Sequence, residues 1–195
     1  MVNEKRRQFI LKKGSTYQYV LAAFGAAIIS VLAQVTIPLP FSPVPITGQT
    51  LAIGLVITIL GTKLGTLSVL LYILLGSVGM PVFSGMSGGL GVVVGPTGGY
   101  IVGFLPTAII MGGYLQKFGV TIPQAVIANT IGMVVTLAFG TAWLKIMADL
   151  TWTAAFMGGA APFIITGLLK AALAAWLGVV VRGRLETAKL VEATA

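Results

Sequence analysis

The stretch APFIITGLLKAALAAWLGVVV, Ala161 to Val181, decides the class of this molecule. It runs for 21 residues and holds one charged side chain, Lys170, among apolar and small residues. About 20 predominantly apolar residues cross a bilayer as a helix, so the stretch reads as a membrane span with a lysine inside it. The rest of the chain agrees. Its 195 residues are 57% hydrophobic and 8% charged, with a mean hydropathy of +1.03, whereas a soluble domain carries about 25% charged residues. The chain reads as one integral membrane domain, residues 1–195, with no room for a second, soluble one.

Composition excludes much chemistry. There is no cysteine and no histidine, which removes disulfides, thiolate nucleophiles, imidazole bases and the usual zinc and haem ligands. The acidic residues are Glu4, Asp149, Glu186 and Glu192. None lies in a strongly apolar run, which speaks against a carboxylate proton relay and against Walker-type ATPase chemistry. The net charge of +8 does not indicate nucleic acid. Ten of the twelve basic residues fall at the N-terminus (Lys5, Arg6, Arg7, Lys12, Lys13), at Lys63, at Lys117 and at the C-terminus (Arg182, Arg184, Lys189). These are alternate ends of successive spans, the distribution of the positive-inside rule.

The apolar runs predict an all-α, polytopic fold of six transmembrane helices, at about 16–36, 47–61, 64–80, 97–117, 121–147 and 161–182. Both termini are then cytoplasmic, and the first run is a retained helix rather than a signal peptide. Residues 37–46, 81–96 and 148–160 become the external connections. The first holds Pro38, Pro40, Pro43 and Pro45, which disfavour helix and pre-set a stiff, extended loop. The second is glycine-rich. Irregular backbone of that kind is tolerated at membrane depth only where protein buries it or it lines a cavity. Both share a face with the end of the helix that carries Lys170.

Lys170 is the leading candidate for function. A lysine in the bilayer costs about 2.5–3.5 kcal/mol, and this one lies about 12 Å into its helix. Either it snorkels to the outer surface, or it faces the bundle interior and holds a ligand carboxylate. Asp149 is the nearest external acid, so an internal ion pair is possible but unforced. Asn129, about eight residues into the fifth span, is either glue between helices or a ligand contact. Gln49 sits between Thr47 and Thr50 where the proline-rich loop enters the second helix. Capping accounts for the threonines and less well for the glutamine. In GPTGGY, Gly98 and Gly99 allow close backbone approach at a helix N-terminus, and Tyr100 adds a ring and a hydroxyl. A tight turn with helix packing explains the same residues. Gly85-Met86-Ser87-Gly88-Gly89 fits a nucleophile-elbow pattern, but a chain without histidine lacks the usual base. The glycine run 88–95 matches neither phosphate-binding pattern. On the first helix, Ala22/Ala26 and Ala23/Ala27 form small-residue stripes that suit close helix approach, within the chain or to a partner.

Four segments together carry a family resemblance: PLPFSPVPITGQTL, YILLGSVGMPVFSG, GPTGGYIVGF and PFIITGLLKAALA, in that order. Nearly the whole chain resembles the BioY family, the biotin-specific substrate-binding (S) subunits of energy-coupling-factor (ECF) transporters. The resemblance implies six helices and a ligand pocket near the outer face. It implies a loop after the first helix, here Pro40, Phe41, Pro43 and Pro45, that closes over the vitamin. It also implies docking through small residues of the first helix (Ala22, Ala23, Ala26, Ala27) to a transmembrane coupling subunit energised by two ATPase subunits.

In one respect the chain departs from the family. The last motif usually reads P-F-x-x-G-D-x-x-K, and Gly167 stands here in the acid's place while Lys170 is kept. Two readings follow. Thr166, Asn129 and Gln49 take over hydrogen bonding to a ureido group while Lys170 meets the carboxylate, or the ligand is a relative of biotin. Phe41, Phe83, Tyr100, Trp143 and Phe163 are candidate walls of a mostly apolar pocket. The expectation is a multi-pass plasma-membrane subunit that binds biotin as transported ligand, needs no cofactor and catalyses nothing itself. The rivals are an S subunit for another vitamin and a structural or assembly protein. A binding subunit needs Lys170 to face an enclosed pocket; a structural protein lets it snorkel.

Overall fold

The computed structural model describes residues 2–188 and 190, with side chains from Thr16 onward. The N-terminal basic side chains and Lys189 lie outside the described residues. Helix α1 (Val2–Ala33) leads into a hairpin of β1 (Thr36–Leu39) and β2 (Ser42–Thr47). Then follow α2 (Gln49–Ser77), a 3-10 turn (Ser84–Met86), α3 (Leu90–Val93), α4 (Gly98–Phe118), α5 (Ile122–Met147), α6 (Trp152–Gly159) and α7 (Ala161–Thr187). Among the described residues, five stretches are long and apolar enough to cross a membrane: Thr16–Ala33, Gln49–Ser77, Gly98–Phe118, Ile122–Met147 and Trp152–Thr187.

Helix α2 is two arms. Gly61 breaks it with φ 77° and ψ −176°, a backbone conformation that only glycine adopts readily. Beyond the break the chain turns back. A Cβ on Gly65 would stand 3.0 Å from the Cα of Ile57, and Gln49 Nε2 donates to the hydroxyl of Tyr72 at 2.6 Å. In a straight helix, residues 49 and 72 would be about 34 Å apart. The arms correspond to the two short runs read at 47–61 and 64–80. Arg182 of α7 serves the break. Its Nη1 donates to the carbonyls of Ile59 at 3.1 Å and Thr58 at 3.4 Å, and its Nε pairs with Glu186 at 2.7 Å.

Small residues let the helices close up, as bilayer helices do where packing rather than the hydrophobic effect drives association. Ala22 and Ala26 are buried, and a Cβ on Gly25 between them would press on Ser68 of α2. Gly140 of α5 leaves room for the ring of Tyr100 on α4.

Three expectations need correction. The proline-rich segment is a paired hairpin, so the fold is not purely α. Thr36 faces Thr47 and Ile37 faces Ile46, and the register then slips to Leu39 opposite Ser42. In a two-stranded sheet both strands are edges, where a missing proline N–H leaves no interior partner unsatisfied. The 148–160 connection contains α6, capped by Thr151, whose side chain accepts from the Ala154 amide. The stripe Ala22/Ala26 is covered by the chain's own α2 and is not a free docking face; Ala23 and Ala27, one position further round, are exposed.

Candidate functional site

The hairpin, the segment 78–97 and the start of α7 gather at one end of the bundle. Between them lies a cavity of about 180 Å³. Val44, Pro45 and Thr47 of β2 form one side of it, and Phe83, Ser84 and Ser87 another. Tyr100 and Phe104 of α4, Met133 and Thr136 of α5, and Phe163 and Lys170 of α7 also line it. Most of this surface is apolar, with a few hydroxyls and one cation, the usual composition of a small-molecule site.

Lys170 is inside. It is half-buried, and its Nζ donates to the carbonyl of Thr47 at 2.7 Å. Helix α7 is thereby tied to the last residue of the hairpin. No carboxylate among the described residues lies within ion-pair distance of it, so Asp149 is not its partner. An ammonium has three donors, and the cavity beside it can accept an anion.

The other expected residues divide. Gln49 lines the cavity and is itself engaged: Nε2 donates to Tyr72, and Oε1 accepts from the hydroxyl of Thr47 at 2.8 Å. Tyr100 presents its ring to the cavity, while its hydroxyl donates to the carbonyl of Gly159 at 2.7 Å. Thr166 and Gly167 line the cavity, and the Thr166 hydroxyl turns back to the Phe163 carbonyl at 3.3 Å. At Gly167 a Cβ would collide with the thioether of Met133. The space where a side chain at 167 would begin is therefore filled from α5.

Asn129 is not on the main cavity. It borders a smaller one of about 20 Å³ that shares Thr50, Met133, Thr136, Gly167 and Lys170 with it. Its Nδ2 donates to the Ala125 carbonyl at 2.8 Å and to the Thr58 hydroxyl at 3.3 Å. This is the helix-to-helix contact foreseen as one of its two readings. Gly98 and Gly99 also stand off the lining. A Cβ at Gly99 would meet Trp143, one at Gly98 the Val93 carbonyl, and the Gly98 amide is held by Gly95. They pack a turn rather than cradle an anion. Trp143 donates to the Gly95 carbonyl at 3.0 Å and is not a wall. Of the hairpin residues, Pro45 faces the cavity, while Pro40, Phe41 and Pro43 are exposed.

Residues that sequence reasoning passed over include Met133 and Thr136. With Asn129 they stand at i, i+4 and i+7 on one face of α5, a signal that was available. Thr47 does more than cap: its hydroxyl accepts from the amide of Gln49, the first residue of α2, at 3.4 Å, and it also touches the Gln49 side chain and Lys170.

Comparison with known proteins agrees with this architecture. The BioY family profile matches residues 5–187. A protein named biotin transporter BioY2, from Lactococcus lactis subsp. cremoris, is 40% identical over 162 residues, 83% of this chain and 88% of the relative. Biotin transporter BioY from Rhizobium etli is 40% identical over 174 residues, 84% of this chain and 92% of the relative. Among solved structures, the crystal structure of the S-component for biotin from an ECF-type ABC transporter superposes with a TM-score of 0.80. It is 27% identical, with 94% of this chain and 95% of that one covered.

Proposed function

Because the chain belongs to the BioY family, we propose that the cavity at the hairpin end holds biotin, with the ligand's carboxylate on Lys170. The chain is a multi-pass, biotin-binding membrane subunit of a vitamin transporter, a substrate-binding component rather than an enzyme. The observation that carries the site is the placement of Lys170: a cation on the wall of a partly open, mostly apolar cavity, with a backbone carbonyl as its partner.

A carboxylate arriving there gains a charge-assisted hydrogen bond among mostly apolar walls. The apolar remainder of the ligand would lie against Phe83, Phe104 and Phe163. The hydroxyls of Thr136, Ser84 and Ser87 are within the same cavity for the ureido group. The hairpin serves as lid, and Thr47 links lid and lysine. Gly167 carries no side chain, so Lys170 has no acid three residues away to compete with the ligand's carboxylate.

In the membrane, the two arms of α2 count as separate crossings, which makes six and puts both termini on the cytoplasmic side. Lys63 beside the Gly61 break and Lys117 at the end of α4 then face the cytoplasm, in keeping with the positive-inside rule. ATP hydrolysis and inward release fall to partner subunits, a transmembrane coupling protein and two ATPases. The exposed Ala23/Ala27 side of α1 is the surface offered to them.

Calorimetric titration of biotin into the detergent-solubilised protein tests the site. Tight binding that weakens both in Lys170→Ala and with biotin methyl ester supports the assignment. Equal affinity for acid and ester would remove the carboxylate from Lys170. The absence of native cysteines makes topology easy to test: a cysteine at Phe41 should label from outside whole cells, and one at Lys63 only after permeabilisation.

A further inference from the structure

We propose that Gln34, which does not line the cavity, is the positioning residue that holds the Phe83–Ser87 wall in place and so sets how long the ligand is retained. The inference rests on the biotin reading for its functional half alone.

Gln34 ends the first span one residue beyond α1 and reaches across to a segment about fifty residues later in the chain. Its Nε2 shares its protons among the carbonyls of Ser30 at 2.9 Å, Phe83 at 3.1 Å and Val82 at 3.2 Å. Its Oε1 accepts from the Met86 amide at 2.8 Å. One side chain thus clasps three backbone positions of the segment that contributes Phe83, Ser84 and Ser87 to the cavity.

That segment needs holding. Gly85 has φ 68° and Met86 has φ 56°, so two consecutive residues are left-handed, and one of them is not glycine. A methionine there is unfavourable and persists only where its surroundings impose it. The Met86 N–H is the group that Gln34 grips. Thr36, at the root of the hairpin, adds a second clasp through its hydroxyl to that of Ser84 at 2.8 Å. The wall so placed is continuous with the interior. Phe83 stands edge-on to Tyr72 at 5.4 Å, and Tyr72 carries Gln49. Gln34 therefore joins the end of α1 to the lid's root and to the ligand wall at once.

The test uses the full-length protein in detergent, with hydrogen–deuterium exchange in the ligand-free state and biotin dissociation in the loaded state. In Gln34→Met, of similar length but without the amide, exchange should rise at least about tenfold across residues 82–89, and dissociation should quicken by a similar factor. Helices α4 and α5 should exchange as in the wild type. Thr36→Val, which removes the hydroxyl that meets Ser84, should move both readouts a few-fold in the same direction. Unchanged exchange at 82–89, or unchanged dissociation, would overturn the proposal. So would a rise spread over α4 and α5, because Gln34 would then be general fold glue. Should the wild type bind no biotin, the ligand assignment fails separately, and the exchange comparison still decides whether Gln34 holds the wall.

Discussion

Helix α7 carries two inward-turned cations, Lys170 and Arg182, about 18 Å apart along its axis, and their surroundings are opposite. Arg182 is 6% exposed and has two carbonyls and a carboxylate around it. Lys170 lines a cavity, with the Thr47 carbonyl beside it and no acid within ion-pair distance among the described residues. A buried charge must be compensated or it is expensive. At Arg182 the protein does the compensating, so the residue serves the fold. At Lys170 the compensation is incomplete, so the site is ready for an anion from outside. The same residue class on one helix thus has two meanings, told apart by what surrounds each.

The largest expected effect is at the saturated end. Arg182→Ala leaves Glu186 and the carbonyls at the Gly61 break without their donor, and should lower stability by about 3 kcal/mol. Thermal unfolding in detergent measures this, and biotin affinity of the surviving folded fraction should be little changed. Lys170→Ala should do the reverse. Removing an incompletely compensated charge leaves the melting temperature equal or higher, while biotin affinity falls about 100-fold, in line with a lost charge-assisted hydrogen bond. If Lys170→Ala melts early and still binds, the contrast between the two ends collapses.

A finer probe concerns Gly167 and Met133. Gly167→Asp would put an acid one turn before Lys170, but its Cβ meets the Met133 thioether. The methionine is flexible and would yield towards the cavity it lines. The single substitution should weaken biotin binding by about tenfold, and Met133→Ala in the same chain should recover most of the loss, a coupling of about 1 kcal/mol. Simple additivity of the two changes would mean that Met133 does not occupy the place of the acid.

Much of this molecule is legible in its residues. Long apolar runs announce the membrane, and a charge alone in such a run, as Lys170 is, singles out the candidate site. The break in α2 is visible too, because Gly61 stands beside Lys63 between two runs each too short to be ordinary. Elsewhere the sequence is silent for physical reasons. Ala22/Ala26 and Ala23/Ala27 are equivalent as patterns, and only packing against α2 chooses which is buried. Arg182, a few residues from the end of α7, looks like any cytoplasmic cation until the turn at Gly61 brings two carbonyls to it. Gln34 owes its partners to a segment about fifty residues away, and local pattern cannot supply that. Four prolines in ten residues argue for stiffness, not for pairing. The pairing comes from the residues that flank them, Thr36 with Thr47 and Ile37 with Ile46.

The smallest effect tests the lid rather than the floor. The Ser42 hydroxyl donates to the Gly158 carbonyl at 2.7 Å, which fastens the hairpin tip to the end of α6. The neighbouring carbonyl, Gly159, receives the hydroxyl of Tyr100 from the cavity wall. Two adjacent carbonyls at one helix end therefore anchor the lid and the wall. Ser42→Ala removes that neutral hydrogen bond and the one the hydroxyl accepts from the Val44 amide at 3.1 Å, a loss of about 1 kcal/mol at the edge of the site. Because the bond to Gly158 lies away from the ligand, the change should appear as a roughly fivefold faster dissociation of biotin, with association and melting temperature nearly unaltered. The comparison that matters is with Lys170→Ala. On the proposed assignment, loss of the lysine removes a contact to the ligand and should be felt less by biotin methyl ester than by biotin, whereas loss of Ser42 loosens the hairpin and should speed the escape of both alike. If Ser42→Ala instead distinguishes acid from ester, the hairpin contributes to carboxylate recognition, and the division between lid and lysine must be redrawn.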